Sequence, residues 1–358
     1  MSTQTESVLN RICRESIERQ ASEIYLLPAQ VPFLRIDGET KSMTGEGIIS
    51  RSFIDDLTDI LLEAEEKEKL NQKREIEVVK NIGKIGNCQI NLYYQKGYPA
   101  CRIKLLSQEI ISLEQLGLPN MVKRLTSLLK GIIFVTGPRD SGRSTLLISL
   151  LDYLNKNQKK FIATVENPIK AEIRGIKSVV EQREVGKDTK SFLQGLRYIR
   201  RRNVDVVMVS RVDNAEIMDE LFALAEAGSL VLTMMDTASS LKTIQRILHF
   251  YPADKRESAR YFLSENLGGI VVSRLVPKMG GGRVRALEVL PGSPSVQNVI
   301  ATGRLHQLSG IIQTTEDDTS VSLEQSLADL VTSGQVVSEE AVKHAVDEEV
   351  FRSLLRRG

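Results

Sequence analysis

The sequence predicts an α/β protein: a small α+β domain, then a core built on a parallel sheet, then a helical tail. Three observations carry this expectation. From Gly131 onward, short apolar runs alternate with helical stretches, the pattern of a parallel sheet with helices on its faces. A glycine-bearing loop joins the first of those runs to a helix that starts at Ser144. Finally, 358 residues, 41% hydrophobic and 26% charged, suffice for about two ordinary domains with buried cores.

In chain order, residues 7–20 read as an amphipathic helix, with Val8, Ile12 and Ile17 at helical spacing. Two apolar runs, 24–27 and 31–36, are separated by Pro28 and closed by the turn signal Asp37-Gly38. Residues 53–70 predict one helix with a charged outer face. Runs 75–79, 88–94 and 100–105 predict strands around turns at Gly83 and Gly97, and this domain spans 1–107. Residues 108–129 form a linker and helix. The core, 130–318, opens on an apolar strand at 131–136 and continues with strands at 161–165, 206–209 and 230–235. The tail, 319–358, reads as helical and charged with no strand signal, its Leu327, Leu330, Val331, Ala341, Ala345 and Phe351 forming packing stripes.

Charge and cysteine usage narrow the class. Lys and Arg total 48 against 46 Asp and Glu, a net +2, without the basic excess expected of a dedicated nucleic-acid binder. No apolar stretch approaches the roughly 20 residues that span a bilayer, and the polar first ten residues lack a secretory pattern. Three widely spaced cysteines, Cys13, Cys88 and Cys101, argue against a disulfide framework or a zinc site. The expectation is a soluble protein of a reducing compartment.

The loop reads Gly137-Pro138-Arg139-Asp140-Ser141-Gly142-Arg143-Ser144-Thr145. Its spacing is that of a P-loop, in which backbone N–H groups cradle phosphates at a helix N-terminus and the Ser hydroxyl is placed to bind Mg²⁺. Two residues depart from that pattern. Arg143 stands where a lysine is usual, and a guanidinium is longer, planar and forked. Asp140 adds a carboxylate facing the phosphate position, and two like charges 4 Å apart repel by about 1 kcal/mol in water and about 4 kcal/mol at an effective dielectric of 20. Taken alone, the nonapeptide is equally readable as a plain glycine turn.

Neighbouring strings follow the order of one family: Thr164-Val165-Glu166-Asn167-Pro168-Ile169, Gln182-Arg183-Glu184-Val185 with Asp188-Thr189, and Leu196-Arg197 with Arg201. Ala225-Glu226 with Gly228, Lys242-Thr243-Ile244 with Arg246, residues 262–267 and Gly280-Gly281-Gly282-Arg283 continue it. Weaker matches reach Ser22-Glu23-Ile24-Tyr25 and residues 34–38 near the start, and residues 323–327 with Glu339-Glu340-Ala341 in the tail. Nearly the whole chain thereby resembles the PilT-like retraction ATPases of type IV pili, within the type II/type IV secretion ATPase superfamily.

The resemblance implies a RecA-like P-loop NTPase core, a PAS-like N-terminal domain and a hexameric ring. ATP and Mg²⁺ would sit at residues 137–145, and Arg197, Arg201 and Arg102 would be arginine-finger-like or nucleotide-facing. It also implies action at the cytoplasmic face of the inner membrane, through a pilus platform protein and not by direct membrane insertion. Glu166 keeps an acidic position of the family, while Asn167 and Lys170 replace acids beside it. Arg211 ends the strand segment 205–211 where the family carries its catalytic glutamate, and a guanidinium is no general base at ordinary pH. Ser229 and Asp236 stand at the family's two His-box positions, and Gln89 at that of a nucleotide-facing arginine.

These exchanges leave the local charge unchanged, which predicts that Arg143 and Arg211 pair with Asp140 and Asp236. Three functions stay open: a hydrolysis-deficient accessory subunit in homo-hexamers or mixed rings with an active retraction ATPase, a working ATPase using Glu166 or Asp213 as base, and a ring scaffold without nucleotide. Arg200-Arg201-Arg202 reads as a solvated or subunit-facing helix end, since no aromatics are interleaved. His249, His306 and His344 have no metal-ligand spacing.

Overall fold

The computed structural model describes residues 2–83, 86–106, 110–314 and 320–357. They fall into two compact units, Met1–Glu109 and Ile110–Gly358. The sequence boundary at residue 107 lies outside the described residues.

The first unit runs α1 (Ser2–Glu18), β1 (Glu23–Leu26), β2 (Phe33–Ile36), β3 (Glu39–Ser42), α2 (Arg51–Leu61), α3 (Ala64–Lys73), β4 (Glu75–Ile82), β5 (Gly86–Gln95) and β6 (Tyr98–Leu105). Its six strands pair antiparallel in the order β3-β2-β1-β6-β5-β4. Asp37 and Gly38 both carry positive φ, 51° and 89°, as a tight two-residue hairpin requires, and they join β2 to a third strand that sequence reading missed. That strand is exposed along its length and carries no apolar alternation. The single helix expected over 53–70 is two: Leu62 turns extended, and Glu63 and Glu66 form a capping box that starts α3. Leu61 and Leu62 are thereby both buried. The unit's core gathers Ile12, Ile24, Leu34, Leu57, Ile90 and Ile103, all fully buried, together with the three cysteines, which are free thiols.

The second unit opens with α4 (Asn120–Leu125), then β7 (Gly131–Thr136), α5 (Arg143–Asn157), β8 (Phe161–Glu166), β9 (Val179–Glu184), α6 (Phe192–Arg200), β10 (Val206–Val209), α7 (Ala215–Glu226), β11 (Leu230–Met235), α8 (Ser240–His249), α9 (Arg256–Asn266), β12 (Leu267–Pro277) and β13 (Arg283–Pro291). Helices α10 (Pro294–Ala301), α11 (Leu308–Thr314), α12 (Leu323–Thr332), α13 (Ser338–Val342) and α14 (Glu348–Arg357) complete it. The sheet order is β13-β12-β7-β11-β10-β8-β9, parallel except for the terminal β12–β13 hairpin. The α/β expectation stands, with β9, β12 and β13 added to the strands read from sequence.

Alternate residues of the central strands face two cores. Ile132, Phe134, Val207, Val209 and Val231 pack on one side, and Ile133, Val135, Val206, Met208 and Leu232 on the other, all at most 1% exposed. The six tail residues read as packing stripes meet Val276 and Ala286 of the hairpin in one apolar cluster. The tail is not wholly free of β-structure: Val321 forms an antiparallel bridge to Val289.

Candidate functional site

The parallel register brings the carboxyl ends of β7, β8, β10 and β11 to one edge of the sheet, where ligands bind in open α/β sheets. Four short segments leave from that edge: the glycine loop after β7, residues 167–170 after β8, residues 210–213 after β10, and Asp236 after β11.

The glycine loop is shaped by two positions that need glycine. Gly137 has φ of 147°, and a Cβ there would stand 2.3 Å from Ser273 O and 2.4 Å from Ser141 Oγ. Gly142 has φ of 79° and forms the N-cap of α5, which no side chain caps. The first N–H groups of such a helix lack intrahelical acceptors and favour an anion. Asp140 takes the left-handed region at φ of 60°. Gly137, Asp140, Ser141, Gly142, Arg143, Ser144 and Thr145 thus lie on one loop and the first turn of one helix.

Behind this loop stands a support that sequence reading missed. Ser273 Oγ on β12 donates to Ser141 O at 2.7 Å. Arg285 on β13 donates from Nη1 to Ser141 O at 3.3 Å, to Gly142 O at 3.4 Å and to Ser273 Oγ. Burial pushes the Arg285 pKa down to about 10. Arg285 forms no ion pair among the described residues, and its Nε and Ser141 Oγ are buried without a hydrogen-bond partner. Neither β12 nor β13 was read from the sequence, so nothing there pointed to Arg285.

The expected charge pairing is half present. Arg143 donates to Asp236 Oδ1. Burial lowers the Arg143 pKa, and the Asp140 carboxylate opposes that shift. Arg211 does not follow the expectation: it pairs with Asp213, two residues along its own loop, Nε to Oδ2 at 2.9 Å. A loop partner at that spacing competes at far lower entropic cost than one across the cleft.

Ser144 Oγ, the expected metal ligand, accepts a hydrogen bond from Lys170 Nζ at 2.9 Å. A magnesium ion would bind that oxygen at about 2.1 Å. It would then lie within about 5 Å of the ammonium, and at an effective dielectric of 20 even two unit charges 4 Å apart repel by about 4 kcal/mol. The residues present do not fit the ion. They do fit a phosphate, through the loop's glycines and the uncapped start of α5.

Glu166, at the end of β8, is 3% exposed, and its Oε1 accepts from Thr164 Oγ1 at 2.7 Å and Gln182 Nε2 at 2.9 Å. Burial raises its carboxyl pKa, against the lowering effect of those two donors and of Lys170. Ser229 is a core residue whose hydroxyl donates to Val204 O at 2.7 Å. Arg197 and Arg200 both lie 3.1 Å from the buried carboxylate of Glu220 on α7, whereas the exposed Arg201 side chain has no ion-pair partner among the described residues. Arg102 belongs to the first unit, where its Nε donates to Glu23 at 3.0 Å.

A strand–P-loop–helix at the carboxyl edge of a mixed sheet defines a P-loop NTPase-type core. Residues 100–281 match the family model described as Type II/IV secretion system protein. The chain belongs to this family of type II/IV secretion proteins, and to its PilT-like members. It is 30% identical to the "Type IV pilus retractation ATPase PilT" of Pseudomonas aeruginosa over 94% of this chain and 97% of that protein. It is 28% identical to the "Type IV pilus ATPase PilU" of the same organism over 97% and 91%. Among solved structures, the pilus retraction motor PilT with bound ADP superposes with a TM-score of 0.82 at 33% identity, covering 94% of this chain and 97% of that one. The Legionella pneumophila ATPase DotB shares the fold, with a TM-score of 0.79 at 20% identity over 98% and 95%. No helix among the described residues is long and apolar enough to cross a membrane.

Proposed function

We propose that this chain is a nucleotide-binding accessory subunit of a type IV pilus retraction motor and does not itself hydrolyse ATP at a useful rate. One observation carries the reading: the segment leaving β10 presents Arg211, a group that cannot accept a proton from water, and ties it to Asp213. Glu166, a further acidic group at this edge of the sheet, is buried and has its Oε1 held by two donors, which ties it into the fold away from bulk water. The PilT and PilU likeness supports a place beside a retraction ATPase, as a homo-hexamer or within mixed hexamers, at the cytoplasmic base of a pilus and against its inner-membrane platform protein. Arg201, exposed at the end of α6, is the arginine best placed to reach a neighbouring subunit; Arg197 is engaged by Glu220.

The test is steady-state ATP hydrolysis by the purified chain, alone and mixed with an active retraction ATPase. Loss of a general base lowers rates by about 10²- to 10⁴-fold, so the chain alone is expected that far below the active enzyme. In the mixture it is expected to co-migrate with the active protein and to change its turnover. Turnover equal to that of the active enzyme, abolished by Glu166→Gln or Asp213→Asn, would overturn the proposal.

A further inference from the structure

We infer that this site binds a nucleoside polyphosphate without a divalent cation, the Lys170 ammonium standing where the metal would stand. The inference rests on the reading of residues 137–145 as a nucleotide site. Lys170 Nζ donates to Ser144 Oγ, the P-loop hydroxyl whose ordinary partner is the metal.

The lysine is held in place by its flanking backbone. On one side Asn167 N donates to Ser210 Oγ at 3.1 Å and Ile169 N donates to Glu184 Oε2 at 3.1 Å. On the other, Ala171 O accepts from Gln182 Nε2 at 3.0 Å and Ile173 N donates to Gln182 Oε1 at 2.7 Å. These bonds tie the segment to β9 and to the loop after β10, so the ammonium is delivered to Ser144 by a fixed strap.

The remaining charges agree with this assignment. Arg143 stands in the first turn of α5, Lys170 on the Ser144 hydroxyl and Arg285 behind the loop on its carbonyls, so three cations bear on the loop and the start of its helix. Asp236 and Asp140 act on Arg143, while Lys170, which also acts on the buried Glu166 carboxylate, is the cation seated on the metal's own ligand. A protein ammonium needs no chelation equilibrium, and it repels an incoming dication. The chemistry predicted is therefore binding of ADP or ATP that is indifferent to Mg²⁺ or weakened by it.

The experiment measures binding of mant-ADP and mant-ATP to the full chain by fluorescence anisotropy, in excess MgCl₂ and in excess EDTA. The expected result is an affinity in EDTA equal to or tighter than that in MgCl₂. In Lys170→Ala the EDTA affinity is expected to fall by about tenfold or more, with Mg²⁺ restoring part of it, because the metal regains Ser144. Lys170→Arg, which keeps the cation, is expected to stay metal-indifferent. Wild-type binding seen only with Mg²⁺ overturns the inference and leaves the proposed function standing. Binding in neither buffer overturns the nucleotide site itself. An EDTA affinity unchanged in a folded Lys170→Ala variant removes the role given to Lys170.

Discussion

At Gly137 a single hydrogen in place of a side chain decides whether the loop can close. Its φ is 147°, and a methyl group would overlap Ser273 O at 2.3 Å, a backbone atom that cannot rotate away. Gly137→Ala is therefore expected to destabilise the chain by about 2 kcal/mol or more, measured as a lowered denaturant midpoint. An unchanged midpoint would show that the loop has room the geometry denies it. Such glycines were legible in the sequence because the motif fixes their spacing. Arg285 was not, because its contact with Ser141 O exists only once β13 pairs with β12 and β12 with β7. Arg211 was legible as a residue but not in its partner. Sequence charge counting matched it across the cleft, whereas the loop geometry gives it Asp213.

At the scale of elements, two of the missed strands, β3 and β13, share a cause. β3 is exposed throughout, and β13 begins Arg283-Val284-Arg285, so neither shows the apolar run that marks a buried strand. The hairpin they leave unread carries a further buried acid. Glu288 on β13 accepts from Ser240 N at 2.7 Å at the start of α8, and burial raises its carboxyl pKa against the lowering effect of that Ser240 N–H. Because the folded value lies above the unfolded one, the unfolded chain ionises first as pH rises. The stability present in acid is then lost progressively from the ordinary carboxylate range upward toward the folded value. Glu288→Gln keeps an acceptor for Ser240 and removes the charge. The variant's melting temperature relative to wild type is expected to be more favourable at about pH 8 than at about pH 4.5. A difference that does not change with pH in thermal melts would refute this.

At the scale of the whole molecule, each unit has a core of its own. The cluster around Ile24, Ile90 and Ile103 lies wholly within Met1–Glu109, and the two faces of the seven-stranded sheet lie wholly within Ile110–Gly358. The second unit expressed alone is therefore expected to fold cooperatively, with the helix-rich circular dichroism and single thermal transition of an autonomous domain. A collapsed or aggregating product would show that it depends on the first unit.

The sequence by itself determined the α/β class, the position of the phosphate loop, the family and the presence of Arg143, Lys170, Arg211 and Asp236 beside it. Those are properties of local pattern and spacing, and they survive without coordinates. Only the tertiary structure decided which of these charges meet. Lys170 reaches Ser144, Arg143 reaches Asp236, Arg211 turns to Asp213, and Arg285 enters from the far hairpin. The physical reason is that an ion pair or hydrogen bond depends on distances of a few ångströms, and those are set by how parallel strands bring distant loops to one edge of the sheet.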